Sequence, residues 1–349
     1  MAGNPAGSSV VAVFGSGSFG TALATLIARN GTHAVRMLTR RPEVCEGINE
    51  KHVNVTHLSE FALPDNIEAY TDPEECLRGA EFIVHAIPVQ SSFAFIREVA
   101  RFIEPGVPVV SASKGICSET LRMMHEIIPA ALERPDHPTA FVSGPTFARE
   151  LMNGSPSGMV LASASDDVAK ACSALFASPL VRVYLSGDVI GVEVGGALKN
   201  VFALAAGIAD GMGWGMNTTA LLVTLGCREM GQVADAMGAK TATLSGLSGV
   251  GDMMLTAFGA QSRNRSVGRR LGEGAKLADI LEERGSTLAG VAEGVATAPA
   301  ALRLARSHGV DVPIIAAVCA VLRGAEPSDA LATLLLHPVR ANGDLVVPE

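Results

Sequence analysis

Apolar residues in the first half of the chain come in short β-branched runs separated by stretches of helical spacing. Ser9 to Phe14 is such a run, and Thr21 to Asn30 follows it with helical periodicity and stops at Gly31. Val35 to Leu38, Phe82 to Ile87, Val107 to Ser111 and Ala140 to Val142 repeat the strand-like pattern, with the helical stretch Ser91 to Ile103 among them. This βα alternation predicts an α/β fold: a mostly parallel sheet with helices on both faces.

Beyond Gly187 the strand-like runs cease. Long helical segments take over at Val189–Asp210, Asn217–Met237, Leu277–Glu283, Val291–His308 and Ile314–Arg323. Glycine and proline mark the joins, as at Gly246 to Gly251 and Pro313. The pattern predicts two domains divided near Ser186–Asp188: a dinucleotide-binding sheet over residues 1–187 and an all-helical domain over 188–349. The longest apolar stretch, Val189 to Met212, is interrupted by Glu193, Lys199 and Asp210, so no membrane insertion is expected of it.

Composition narrows the function classes. Hydrophobic residues make up 48% of the 349 and charged residues 18%, which suits packed cores and excludes a disordered chain. A net charge of −8 argues against nucleic acid as a partner. The six cysteines are scattered without a Cys-x-x-Cys pair and the eight histidines without a His-x-x-x-His pair, so reduced thiols and no metal are expected. Met1 to Ser9 lacks the basic and apolar regions of a signal peptide, and the expected location is the cytoplasm or an organelle after removal of a targeting segment.

Within this frame one motif carries chemistry at once. Gly15-Ser16-Gly17-Ser18-Phe19-Gly20 follows the first strand and opens the first helix. In a dinucleotide turn the first glycine allows the tight bend, the second admits a pyrophosphate, and the third lets helix and strand pack closely. The phosphates then lie at a helix N-terminus, where free N–H groups favour anions. The second strand ends Leu38-Thr39-Arg40-Arg41, with no acid until Glu43. An acid there would bond the ribose hydroxyls of NAD, whereas an arginine suits the 2′-phosphate of NADP, so NADPH, alone or beside NADH, is the expected cofactor.

Three further segments combine polar groups with glycine. Ser113-Lys114-Gly115 lies just past the strand ending at Ser111, at the carboxyl edge where open α/β sheets place ligands. Lys199-Asn200 lies inside an apolar helix; burial lowers an ammonium pKa toward neutrality, which suits proton exchange with a substrate hydroxyl. Gly249-Val250-Gly251-Asp252 precedes Thr256 and then Ser262-Arg263-Asn264-Arg265, a cluster of donors fit either for an oxyanion or for capping a helix.

Taken in order, Gly15–Gly20, Ser113–Gly115, Ser143-Gly144-Pro145-Thr146-Phe147-Ala148, Lys199-Asn200-Val201, Gly249–Asp252 with Thr256, Ser262–Asn264 and Val291-Ala292-Glu293-Gly294 resemble the NAD(P)-dependent glycerol-3-phosphate dehydrogenases over nearly the whole chain. The resemblance implies a Rossmann-type domain and a helical domain like that of 6-phosphogluconate dehydrogenase, in a homodimer. It implies that Lys199 accepts the proton when glycerol 3-phosphate is oxidised to dihydroxyacetone phosphate, with Asp252 and Lys114 completing the catalytic set. It places Lys114, Gly144, Thr146, Lys199, Asp252, Ser262, Arg263 and Asn264 around the substrate, Arg263 and Asn264 on its phosphate. Against the cofactor it places Gly15, Gly17, Ser18, Phe19, Gly20, Arg40, Lys114, Ala148, Arg263, Val291 and Glu293. The implied role is supply of glycerol 3-phosphate for glycerolipid synthesis.

Two other readings fit the same outline. A β-hydroxy acid or ketopantoate dehydrogenase also pairs a nucleotide-binding sheet with a helical domain, and its anion site holds a carboxylate. A dinucleotide-sensing regulatory protein without catalysis is the other, and a buried Lys199 beside an oxyanion site argues against it.

Overall fold

The computed structural model describes residues 9–283 and 292–336. Eight strands form one sheet: β1 (Ser9–Phe14), β2 (His33–Leu38), β3 (Ile67–Tyr70), β4 (Ala80–His85), β5 (Val109–Ser111), β6 (Thr139–Ser143), β7 (Ser157–Ala162) and β8 (Val181–Ser186). Their order is β3-β2-β1-β4-β5-β6-β7-β8, and every neighbouring pair is parallel except β6–β7. The order reverses between β1 and β4, which opens a crevice at the carboxyl ends of those strands.

Helices α1 (Ser18–Arg29), α2 (Pro42–Lys51), α3 (Pro73–Leu77), α4 (Val89–Val99), α5 (Met124–Leu132), α6 (Ala148–Met152) and α7 (Asp166–Ser173) connect the strands. The pleat of β1 explains why its run is apolar without alternation. Val11 and Val13 enter the core on one face of the sheet, and Val10, Ala12 and Phe14 enter the core on the other. Strands β3, β7 and β8 are additions to the sequence reading. Strand β8 is an edge strand whose central side chains are largely solvent-facing, with Tyr184 46% and Leu185 47% exposed, so no continuous apolar run announces it.

After β8 the chain is helical: α8 (Val189–Gly211), α9 (Met216–Ala236), α10 (Thr241–Leu244), α11 (Asp252–Phe258), α12 (Arg263–Gly272), α13 (Leu277–Glu283), then Glu293–Ser307, Pro313–Leu322 and Pro327–Leu336. Asp188 caps α8: its Oδ1 accepts from the Gly191 N–H at 3.0 Å, and its Oδ2 accepts from Lys240 N and the Thr243 hydroxyl. The charged residues in this stretch do not by themselves rule out a membrane span. By length and a mean hydropathy of 1.5, α8 is able to cross a bilayer despite its charged residues. It is instead the central helix of the second core, with 89% of an apolar 18-residue stretch of it buried inside the protein.

Small residues bring α12 against α8. A Cβ on Gly207 would lie 2.2 Å from the Arg265 carbonyl oxygen, and one on Gly268 would lie 2.2 Å from that of Leu204. Gly211 and Gly272 repeat the contact one turn on, at 2.0 and 2.2 Å from the carbonyls of Arg269 and Ile208. The two backbones therefore touch, and the N-terminal end of α12 is delivered beside the Lys199 turn of α8. At Gly195 a Cβ would lie 2.4 Å from the Ser248 carbonyl oxygen. That contact seats the wide turn Leu247–Gly251 on α8, one helical turn before Lys199, and so sets where Asp252 begins α11.

Candidate active site

The glycine turn joins β1 to α1 at the crevice. Gly15 has φ +102°, and a Cβ there would approach the Ala86 carbonyl oxygen at 2.9 Å; a Cβ on Gly20 would lie 2.1 Å from the Gly15 carbonyl oxygen. Both positions require glycine for the turn and its packing. Gly17 differs, because a Cβ there would meet no protein atom within 4 Å. The room it leaves faces a helix N-terminus that carries no side-chain cap and no acid in its first turn. Those features fit a pyrophosphate.

Opposite the turn, three charged side chains from distant parts of the chain converge. Lys114 follows β5, Lys199 lies in mid α8, and Asp252 begins α11. Lys114 Nζ donates to Asp252 Oδ2 at 2.6 Å, and Lys199 Nζ donates to Asp252 Oδ1 at 2.6 Å. Lys199 also donates to Thr256 Oγ1 at 2.9 Å, whose own hydroxyl donates to the Asp252 carbonyl at 2.6 Å. The side chains are 12%, 10% and 1% exposed for Lys114, Lys199 and Asp252, so the pairs are screened little by solvent.

Burial has consequences for each charge. It lowers the Lys199 ammonium most, Asp252 draws it back up, and Lys114 pushes it down again, leaving its pKa at about 8. For Asp252 burial alone would raise the carboxyl, but Lys114 and then Lys199 outweigh it and hold it below the usual carboxylate range. Two ammonium groups share the one carboxylate of Asp252, and the charge of Glu293 also acts on Lys199. An amine that titrates near neutrality, two of whose hydrogen-bond positions are fixed by Asp252 and Thr256, is suited to exchange a proton through the third.

The pocket reaches toward the glycine turn. Lys114 Nζ lies 5.8 Å from the centre of the Phe19 ring, in the first turn of α1. The same amine donates to the Gly144 carbonyl at 3.4 Å, which also accepts from the Thr146 hydroxyl at 3.2 Å. Gly144 has φ +135°, and a Cβ there would lie 3.0 Å from the Gly158 carbonyl oxygen and from Met159 Cα, so the position favours glycine.

On the far side of Lys199, Asn200 Nδ2 donates to Glu293 Oε2 at 3.2 Å, and Asn264 Nδ2 donates to Asn200 Oδ1 at 2.9 Å. Asn264 Oδ1 accepts from the Gly294 N–H at 2.9 Å. Asn264 thus ties α12 to α8 and to the helix Glu293–Ser307, with part of its amide left for a ligand. The Ser262 hydroxyl caps α12 by accepting from the Arg265 N–H at 3.2 Å. Of the two roles open to it in the sequence, the cap is the one its geometry displays.

Arg263 is exposed at the first position of α12, and its charge reaches His57. Burial first, then Arg41 and Arg263, lower the His57 pKa. Arg40 is exposed beyond β2; its neighbour Arg41 is the held one, with Nη2 3.4 Å from His57 Nδ1. Ser18 opens α1, Ala148 opens α6, and Glu293 opens its own helix. Val291 lies outside the described residues. Sequence reasoning missed Asn54 and His57, which sit in the loop between α2 and β3; no spacing signal marks either.

Comparison with known proteins accords with this geometry. Residues 10–169 match the NAD-dependent glycerol-3-phosphate dehydrogenase N-terminus, and residues 188–333 match the C-terminus of the same family. The chain belongs to this family. Among glycerol-3-phosphate dehydrogenases, the chloroplastic NAD+ enzyme 2 of Arabidopsis thaliana is 49% identical over 89% of this chain and 74% of its own. The NAD(P)+ enzyme of Thermobifida fusca is 43% identical over 92% of this chain and 95% of its own. The crystal structure of the glycerol-3-phosphate dehydrogenase of Coxiella burnetii superposes with a TM-score of 0.89 at 32% identity, covering 95% of this chain and 99% of that one. The protein is an NAD(P)-dependent oxidoreductase acting on a CH–OH group, and membership of the glycerol-3-phosphate dehydrogenase family sets aside the sensor and hydroxy-acid readings.

Proposed function

We propose that the protein interconverts dihydroxyacetone phosphate and sn-glycerol 3-phosphate, with Lys199 as the proton-exchanging group. The observation that carries this reading is the buried pair of lysines on Asp252, beside a glycine turn shaped for a pyrophosphate. When bound, the dinucleotide supplies the hydride for reduction or takes it in oxidation.

This chain's residues do the rest. Lys199 Nζ gives a proton to the C2 oxygen as the ketone is reduced and takes one from the C2 hydroxyl in reverse. Asp252 holds both amines in register. Lys114 faces the substrate oxygens, with Gly144 and Thr146 forming the adjoining wall. The N–H groups that open α12, with Arg263 and Asn264, bind the phosphate, so that its binding energy orients C2. Gly15, Gly17, Ser18, Phe19 and Gly20 hold the pyrophosphate side, and Arg40, Ala148, Arg263 and Glu293 complete the dinucleotide's surroundings.

We further propose a division of labour at residue 187, the sheet unit binding the dinucleotide and residues 188–349 supplying the substrate chemistry. The enzyme acts as a soluble homodimer, in the cytosol or in an organelle, and its product feeds glycerolipid synthesis. The test is oxidation of NADH and NADPH followed spectrophotometrically with dihydroxyacetone phosphate, ketopantoate and β-keto acids offered separately. Turnover confined to dihydroxyacetone phosphate supports the reading; equal turnover of an unphosphorylated acid overturns it.

A further inference from the structure

Hydrogen bonds link Ser16 of the glycine turn through Thr39 and Arg41 to His57, and Asn54 closes the circuit. The side chain is fully buried, at 0% exposure. Its Nδ2 donates to the Ser16 carbonyl at 2.9 Å and to Thr21 Oγ1 at 2.8 Å. Its Oδ1 accepts from Thr56 N, the Thr56 hydroxyl and His57 N, at 3.2, 3.1 and 3.1 Å. From Ser16 the ring continues through its hydroxyl to Thr39 Oγ1 at 2.8 Å. Thr39 Oγ1 accepts from Arg41 N at 3.3 Å, and Arg41 Nη2 meets His57 Nδ1 at 3.4 Å. His57 N then returns to Asn54.

Each link has a consequence for the turn. In a trans peptide the C=O and the following N–H point in opposite directions. With the Ser16 carbonyl held on Asn54, the Gly17 N–H is turned to the side away from it. The same asparagine fixes the main chain at His57 and so fixes the partner of Arg41. A buried donor pair and a buried acceptor in one short side chain are both needed: aspartate has no donor here, and leucine has neither.

We propose that Asn54 is a positioning residue for the dinucleotide, locking the peptide between Ser16 and Gly17 and the Arg41–His57 pair into one unit at a fixed spacing. The inference rests on the dinucleotide site proposed above. It assigns Asn54 no contact with the cofactor or with reacting atoms. It acts through the turn on one side and through the basic pair on the other.

Asn54→Ala is expected to raise KM for NADH and NADPH about tenfold, the worth of a buried hydrogen-bond set lost. KM for dihydroxyacetone phosphate and kcat stay within about twofold, a split that general loosening of the fold does not produce. Asn54→Asp, which sets an acceptor against the Ser16 carbonyl and adds negative charge, raises the cofactor KM further. Unchanged cofactor KM, or a parallel fall in kcat, overturns the proposal. Hydrogen exchange of the wild-type protein stands even where the variants do not fold. Adding NADPH should slow the amides of Thr56 and His57 together with those of the turn. Protection of the turn without Thr56 and His57 overturns the ring, and no protection of the turn at all overturns the cofactor site itself.

Discussion

Lys114 and Lys199 donate to the two oxygens of one buried carboxylate, Asp252, each at 2.6 Å. One lysine comes from the sheet's carboxyl edge and the other from the middle of the central helix. Their shared anion couples the two halves of the chain at the point where substrate chemistry is proposed. Removing the carboxylate leaves two ammonium groups facing each other with little solvent between them.

The first prediction concerns pH. With the Lys199 pKa lowered to about 8, oxidation of glycerol 3-phosphate, which needs the neutral amine, rises as pH passes that value. Reduction of dihydroxyacetone phosphate needs the ammonium and falls over the same interval. In Asp252→Asn the charge that raised Lys199 is gone, so the midpoint of both profiles moves to lower pH. Profiles of kcat in both directions for the two proteins check this.

The basic pair beyond β2 gives the second. Replacing Arg40 and Arg41 together by Ala removes the cations proposed to meet the adenosine end of the cofactor, with Arg41 the better held. KM for NADPH is expected to rise about tenfold or more, consistent with the loss of a charge-assisted contact, while KM for NADH changes little. Steady-state kinetics with each cofactor measure the difference.

Close packing of α8 and α12 gives the third. Gly268→Ala places a Cβ against the Leu204 carbonyl oxygen at 2.2 Å, too near for any rotamer to relieve. A loss of about 3 kcal/mol is expected from forcing these backbones apart. Gly231→Ala, in the interior of α9, meets only Thr241 Cγ2 at 3.9 Å and should instead stabilise by about 0.5–1 kcal/mol. Denaturant unfolding of both variants separates crowding from helix propensity.

Stability of a different buried acid supplies the fourth. Glu229 accepts from the N–H groups of Ile314 and Ile315, and burial pushes its carboxyl up to about 8. A folded-state pKa above the unfolded one means that the folded chain binds more protons between them. Its contribution to stability is therefore greatest below the unfolded value and declines as pH rises toward 8. Across that range the unfolding free energy of wild type should fall with rising pH while that of Glu229→Gln stays flatter, so that the two curves separate toward pH 8.

The parts of this site differ in how legibly they were written. The glycine turn could be read because Gly15, Gly17 and Gly20 follow a β-branched run directly, and their spacing has a geometric cause. Lys199 stood out because a charge inside an apolar helix demands a partner. That partner, Asp252, could be singled out, but its sharing with Lys114 could not, since sequence separations of 53 and 138 residues carry no pairing information. Asn54 and His57 were invisible for a related reason: a polar residue in a loop looks like solvent-facing chain until burial is known. The Ser262 hydroxyl matched both an oxyanion donor and a cap, and only the position of the Arg265 N–H distinguishes them. Strands β3 and β7 were hidden by their short or glycine-bearing segments, β8 by its exposed edge position.

The measurement that bears most directly on the whole account is kcat for glycerol 3-phosphate oxidation by Lys199→Ala, with folding checked by circular dichroism. Loss of the proton acceptor predicts a fall of about 10²–10⁴ with the fold retained. A folded variant that turns over at close to the wild-type rate would show that the proton leaves by another group, and that this buried amine is not the one that matters.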